Sequence, residues 1–114
     1  MITIYGIKNC DSVKKAIKYM KKYDLIYNFI DFKETPVDAK KVATWALKVP
    51  MEKLFNTRGT TYRTLKLKEK NLDNKEKESW LSKENMLIKR PVIEYDDQVI
   101  VAFEEANYDS VFRG

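Results

Sequence analysis

Cys10 is the only cysteine of the chain, and it stands where an apolar stretch, Ile2-Thr3-Ile4-Tyr5, gives way to a lysine-rich amphipathic one. The amino end of a helix presents unpaired backbone N–H groups and a partial positive charge, which favour thiolate over thiol. A thiol at that junction is a candidate nucleophile, although free cysteines are most often small buried apolar residues. A lone thiolate can attack a disulfide, a sulfenic acid or an oxyanion, but a thiol from outside the chain must then release the adduct. Glutathione is the natural candidate. Asn9 and Lys8, just before the thiol, are supporting candidates. Lys8 either adds local positive charge or is an ordinary solvated lysine.

Other chemistries are excluded by composition. The chain has no histidine, which removes Cys-His and Ser-His-Asp hydrolases and histidine-containing zinc or haem sites. A thiolate metal site needs more cysteines than one, so no metal is expected. The cysteine-phosphatase loop fails because its arginine position, six residues after the thiol, is Ala16. Gly6, Gly59 and Gly114 cannot supply a phosphate-binding or dinucleotide glycine pattern. The 22 Lys and Arg against 17 Asp and Glu leave a net charge of +5 with both signs interspersed. That balance reads as a solvated surface, with no direct nucleic-acid binding expected. No run of about 18 apolar residues offers a membrane span, and Lys8 and Asp11 interrupt the place of a signal-peptide core. A cytoplasmic protein with one reduced thiol is the expectation.

The elements that must position Cys10 follow from periodicity. Val13, Ala16, Ile17 and Met20 recur at helical spacing while Lys14, Lys15, Lys18, Lys21 and Lys22 take the other faces, so a helix begins just after the cysteine, with Asp11 and Ser12 able to cap it. A second strand is expected over residues 26–32. Thr35-Pro36-Val37-Asp38 reads as a helix start with Thr35 as cap and Pro36 at the first helical position, the helix running to about Lys48 and stopping at Pro50. Its stripe of Val42, Trp45, Ala46 and Val49 is assigned to packing, as is Trp80. Residues 51–86 read as short helical pieces, with Asp73 as a possible cap, and the Lys/Glu-rich stretch 66–78 as a solvated face. Beyond Lys89-Arg90-Pro91, residues 92–95 and 98–103 flank Asp96-Asp97 as a β-hairpin, and residues 104–111 form a short terminal helix.

The summed order, β-α-β, helices, β-β-α, implies one α/β domain over residues 1–114 with a thioredoxin-like fold. It has a mixed four-stranded sheet and a helical insertion at about residues 36–87. In such a fold the loop after the first strand meets a proline before the third strand, and Arg90-Pro91 is the place to expect a cis bond.

Three blocks make a family resemblance specific. Tyr5-Gly6-Ile7-Lys8-Asn9-Cys10-Asp11-Ser12-Val13-Lys14-Lys15-Ala16, Asn56-Thr57-Arg58-Gly59-Thr60-Thr61-Tyr62-Arg63 and Ile88-Lys89-Arg90-Pro91-Val92-Ile93 resemble, in order, the signature blocks of the arsenate reductase-like family of the ArsC/Spx type, nearest its YffB-like branch. The resemblance spans essentially the whole chain. It implies a nucleophilic Cys10, anion-binding Arg58 and Arg90, and a supporting Pro91. It also implies a cycle completed by glutathione and glutaredoxin, with the YffB-like branch acting as a glutathione-dependent thiol reductase. Two guanidinium groups can hold an oxyanion or a glutathione carboxylate by forked hydrogen bonds. Arg63 is a weaker candidate that serves the insert equally well, and Gly59 is expected at a positive φ or a close backbone approach. Tyr5 and Phe103 are read as core strand residues rather than pocket lining.

Three departures separate the chain from true arsenate reductases. Those enzymes carry a histidine four residues before the cysteine, where this chain has Gly6, and a third arginine after the hairpin, near Phe103 here. Their thiol is followed by a Gly-Thr-Ser-like turn, whereas Asp11 follows Cys10 and opposes a doubly charged oxyanion. A thiol or disulfide substrate is therefore preferred to arsenate. The Spx/MgsR-like regulators of the same family bind the RNA polymerase α subunit and often carry a Cys-x-x-Cys switch. Val13 occupies the fourth position here, so an internal disulfide switch is excluded while the polymerase reading stays as the alternative.

Overall fold

The computed structural model describes residues 1–114. The chain runs β1 (Ile2–Gly6), α1 (Asp11–Lys22), β2 (Tyr27–Asp31), α2 (Ala39–Ala46), α3 (Met51–Leu54), α4 (Thr60–Thr64), a 3-10 turn (Leu67–Lys70), α5 (Asn74–Lys83), a second 3-10 turn (Asn85–Leu87), β3 (Val92–Tyr95), β4 (Gln98–Val101) and α6 (Glu105–Tyr108), closing on a π-helical turn (Asp109–Arg113). The sheet order is β2-β1-β3-β4. β1 pairs with β2 in parallel and with β3 antiparallel, and β3 pairs antiparallel with β4. This is the thioredoxin-like arrangement the element order predicts.

Strand alternation sorts the apolar residues onto two faces. Ile2 and Ile4 of β1, Ile93 of β3 and Ile100 of β4 point to one side, where Ala16, Tyr19 and Met20 of α1 and Tyr108 of α6 cover them. Tyr5, Ile7 and Val92 point to the other, into a larger cluster with Val42 and Trp45 of α2, Leu54 and Phe55, Leu81 of α5, and Leu87-Ile88. The helices between β2 and β3 thus roof one face while α1 and α6 floor the other. Val13, Ala16 and Met20 are wholly buried, each large side chain contributing roughly 1.5–3 kcal/mol, while every lysine of α1 is exposed.

Several boundaries differ from the sequence reading for identifiable reasons. The cap of α2 is Asp38, whose carboxylate accepts the Lys41 N–H at 3.0 Å; Thr35 and Pro36 lie outside the helix. Thr35 instead donates its backbone N–H to the Asp31 carbonyl at 2.8 Å, closing the turn after β2. The helix ends at Ala46, so its expected extension to Lys48 becomes a turn, and Pro50 caps α3. Strand β2 is shorter than expected at both ends, and β4 stops at Val101 because Ala102 takes a left-handed φ of 72°. Phe103 is therefore not a strand residue. Neither Asp11 nor Ser12 caps α1 with a side-chain bond, because the residue preceding the helix is Cys10 itself. Asp73 does cap α5, in a reciprocal capping box with Glu76.

Candidate active site

Cys10 precedes α1 in extended geometry, φ −138° and ψ 123°, and its carbonyl accepts the Lys14 N–H at 2.9 Å. No side chain caps the first turn, so the positive end of the helix is left to the thiol's neighbourhood. The residue is half-buried and packs against the larger core cluster. Its loop leaves β1 at Gly6, and the backbone there is held close to α1: a Cβ on Gly6 would stand 2.6 Å from Val13 Cγ2. A side chain as large as the histidine of the arsenate reductases has no room at this position without displacing a fully buried valine.

Pairing register brings the Arg90-Pro91 block to the same end of the sheet. Tyr5 of β1 faces Val92 of β3 in an antiparallel pair, so the chain running past Tyr5 toward Cys10 moves beyond the beginning of β3, where Arg90 and Pro91 lie. The Arg90-Pro91 bond is cis, as expected. Arg90 is half-buried, and its Nη1 donates to the Met86 carbonyl at 2.9 Å and to the Ile88 carbonyl at 3.4 Å. Its Nε is shut from solvent with no acceptor in the protein, an unfavourable state for a cationic donor.

The Arg58 block is tied to the segment that precedes Arg90. Phe55 and Ile88 form an antiparallel bridge, the Asn56 N–H bonds the Leu87 carbonyl at 2.8 Å, and the Lys89 N–H bonds the Leu54 carbonyl at 2.8 Å. Arg58 lies three residues beyond Phe55 and Arg90 two beyond Ile88, so the bridge ties the Arg58 loop to the segment that leads into Arg90. The Arg58 side chain is exposed and enters no ion pair. Its loop is set by Asn56 Oδ1, which accepts the Arg58 N–H at 3.1 Å, and by Arg63 Nη1, which donates to the Arg58 carbonyl at 3.0 Å. Arg63 thus shapes the loop. Gly59 has φ −85°, correcting the expected positive φ, and its constraint is the close approach of Asn56, whose Nδ2 would sit 2.8 Å from a Cβ.

The supporting candidates divide. Pro91 is buried in the sheet end beside the Cys10 loop, whereas Asn9 is exposed. Lys8 pairs with Glu34 at 3.6 Å with both side chains about two-thirds or more exposed, a contact worth at most about 1 kcal/mol. That fits the solvated reading of Lys8. Phe103 is half-buried on the α1 side, its ring 5.0 Å from that of Tyr108, away from the arginine-bearing loops.

Sequence reasoning missed a polar cluster under the roof. Glu94 of β3 accepts from the Tyr5 hydroxyl at 2.9 Å, Lys41 Nζ at 3.0 Å and Trp45 Nε1 at 2.8 Å. Burial pushes the Glu94 carboxyl up, but the hydrogen bonds from Trp45, Lys41 and Tyr5 outweigh it and hold the group below the usual carboxylate range. Burial and the bond to Glu94 raise the Tyr5 hydroxyl. Burial works against the Lys41 ammonium, yet the bond to Glu94 prevails and raises it. The available signal was Glu94 itself, the one charge in Val92-Ile93-Glu94-Tyr95.

A description of the ArsC family matches residues 5–111, which include all three blocks. The chain belongs to the ArsC family. It is 36% identical over 113 residues to an uncharacterized Haemophilus influenzae protein, covering 98% of this chain and 99% of that one. A solved structure called YFFB protein superposes with a TM-score of 0.90 at 29% identity, covering 96% of this chain and 97% of that one. An arsenate reductase (ArsC) related protein from Brucella melitensis is 36% identical with a TM-score of 0.77, covering 99% of this chain and 95% of that one. In this ArsC-family chain, no helix is long and apolar enough to cross a membrane, and no cluster of three or more metal-ligating side chains occurs.

Proposed function

We propose that this chain is a glutathione-dependent thiol/disulfide reductase working through Cys10 alone in a reducing cytoplasm. One observation carries the reading: a half-buried thiol at an uncapped helix end, on the sheet end where β3 begins after Arg90-Pro91. The Cys10 thiolate attacks the glutathione sulfur of a mixed disulfide, releasing the substrate as its thiolate and leaving glutathione joined to Cys10. A second glutathione thiolate then attacks that bond at the glutathione sulfur, expelling Cys10 and forming oxidised glutathione. The incoming glutathione thiol is oxidised to disulfide level as the substrate sulfur returns to a thiol, and the glutathione sulfur of the mixed disulfide stays at disulfide level throughout. Arg58, whose guanidinium is exposed, and Arg90, which is half-buried, hold the glutathione carboxylates. Asp11, exposed beside the thiol, opposes a doubly charged oxyanion such as arsenate.

The test is turnover of a glutathionylated peptide, coupled to glutathione reductase, by wild type and Cys10→Ser, with arsenate reduction and glutaredoxin dependence assayed in parallel. Glutathione-dependent turnover lost in Cys10→Ser is the expected result. Absence of turnover, together with capture of RNA polymerase α subunit by wild type and Cys10→Ser alike, would replace this reading with that of a Spx/MgsR-like regulator.

A further inference from the structure

A cavity of about 270 Å³ lies away from the thiol, along the open edge of the sheet. β4 is an end strand, paired only with β3. The cavity touches all four of its residues, Gln98–Val101, and is walled by Lys48 and Lys53 from the α2–α3 junction on one side and by Glu104, Asn107 and Val111 on the other. A second cavity of about 200 Å³ shares Lys53, Val101 and Glu104 with the first and carries the groove on to Lys89 and Ala102.

The phase of the edge is fixed by one bond. The Ala102 N–H donates to the Pro91 carbonyl at 2.8 Å, so the backbone groups of Ala102, Ile100 and Gln98 face β3, and by alternation those of Val99 and Val101 face the groove. Two N–H and two C=O groups therefore stand along the floor, at the spacing an added strand uses. Edges that proteins close off carry a proline, a bulge or an inward charge along the strand, and Gln98-Val99-Ile100-Val101 carries none.

From these features the geometry points to β4 as a strand-addition site for an extended peptide segment of a partner protein, one with β-branched residues alternating with acidic ones. Lys48, Lys53 and Lys89 line the groove without a carboxylate partner, Lys48 bonding only the Asp97 carbonyl. These three ammonium groups outnumber the two carboxylates at its rim, Glu52 and Glu104, which selects an acidic segment. The walls on both sides of the strand favour a slim single peptide. A second copy of the chain would bring the same walls and the same lysines against these. This site is separate from the Cys10 chemistry, and its failure leaves the reductase reading untouched.

The experiment selects peptides from a random dodecamer display library on the whole chain and then titrates the enriched peptide into labelled protein by NMR. Expected are alternating β-branched and acidic sequences with Kd below about 1 mM, and protection of the Val99 and Val101 amides from exchange. N-methylation of alternate peptide bonds should weaken binding at least tenfold. Val99→Pro, which removes an outward N–H and spares the β3 ladder, should do the same, and Lys53→Glu should weaken it about threefold or more. Peptides that bind elsewhere, or equally well when N-methylated, overturn the proposal. So does protection of Val99 that scales with protein concentration alone, which would give the edge to a second copy.

Discussion

Truncating Glu94 should destabilise the fold by more than any exposed charge would. Glu94→Ala removes three hydrogen bonds at once, from Trp45, Lys41 and Tyr5. The consequences differ by donor. Trp45 is wholly buried, so its indole N–H is left without an acceptor, at about 1–3 kcal/mol. The Lys41 side chain is 36% exposed, so its ammonium regains water and contributes little. The Tyr5 hydroxyl lies between these cases at about 1 kcal/mol. The sum is roughly 2–4 kcal/mol by urea unfolding followed by circular dichroism. In a Trp45→Phe background the same truncation should be milder by about 1–2 kcal/mol, because no indole N–H remains to be stranded. The pH dependence has a definite sign. Glu94 has a folded pKa below its unfolded one, so its contribution is present above the unfolded value of about 4.3 and fades as pH falls through the folded value. The stability gap between wild type and Glu94→Gln should therefore be constant near neutrality and shrink in acid. A coupling to Trp45 under about 0.5 kcal/mol, or a gap that widens in acid, would refute the account.

Gly6→Ala forces a methyl to 2.6 Å from Val13 Cγ2; overpacking of about 1–3 kcal/mol should appear as a lower urea midpoint, with altered iodoacetamide reactivity of Cys10. Asn85 is buried and joins Val37 N–H, Val37 C=O and Leu81 C=O, so Asn85→Ala should cost about 2–4 kcal/mol in chemical unfolding. Arg58→Ala should lower kcat/KM by about 10-fold or more while leaving the unfolding midpoint within error, whereas Arg90→Ala should lower both, since only Arg90 also ties the Met86 and Ile88 carbonyls. Asp73→Ala, which dismantles the capping box of α5, should lose about 1 kcal/mol, read as a drop in Tm, with turnover unchanged.

What was legible in the sequence was what short-range physics determines. The β1–Cys10–α1 junction, the 96–97 turn between β3 and β4 and the Asp73 cap all follow from residues within a few positions of one another, while the cis bond before Pro91 followed from the fold that the element order implies. The architecture followed too, because a parallel pair needs a crossover and a two-residue turn needs an antiparallel one. The misses are non-local or decided by competition. Thr35 and Asp38 are both good caps, and the earlier one was taken up by the turn after β2. Glu94 looked like an ordinary charge because its three donors come from β1 and α2, 49 or more positions away. Gly59 matched a turn glycine by type, while its actual constraint, the Asn56 side chain, is a contact that no propensity encodes.

The two arginines differ in a way the sequence blocks do not show, and under the proposed reductase reading the difference would suit consecutive steps of the reaction. Arg90 is fixed: its Nη1 is tied to two carbonyls at the end of the insert, its position is set by the start of β3, and its Nε is buried without an acceptor. Arg58 is free at its guanidinium, held only through its backbone by Asn56 and Arg63. An exposed arginine on a defined loop can follow a ligand that arrives and leaves, at the expense of side-chain entropy on each visit. A cycle in which glutathione is first attached to Cys10 and then withdrawn by a second glutathione needs both behaviours: one contact that orients the bound carboxylate and one that lets go. The Phe55–Ile88 bridge stands between the two, with the fixed arginine two residues past Ile88 and the loose one three past Phe55.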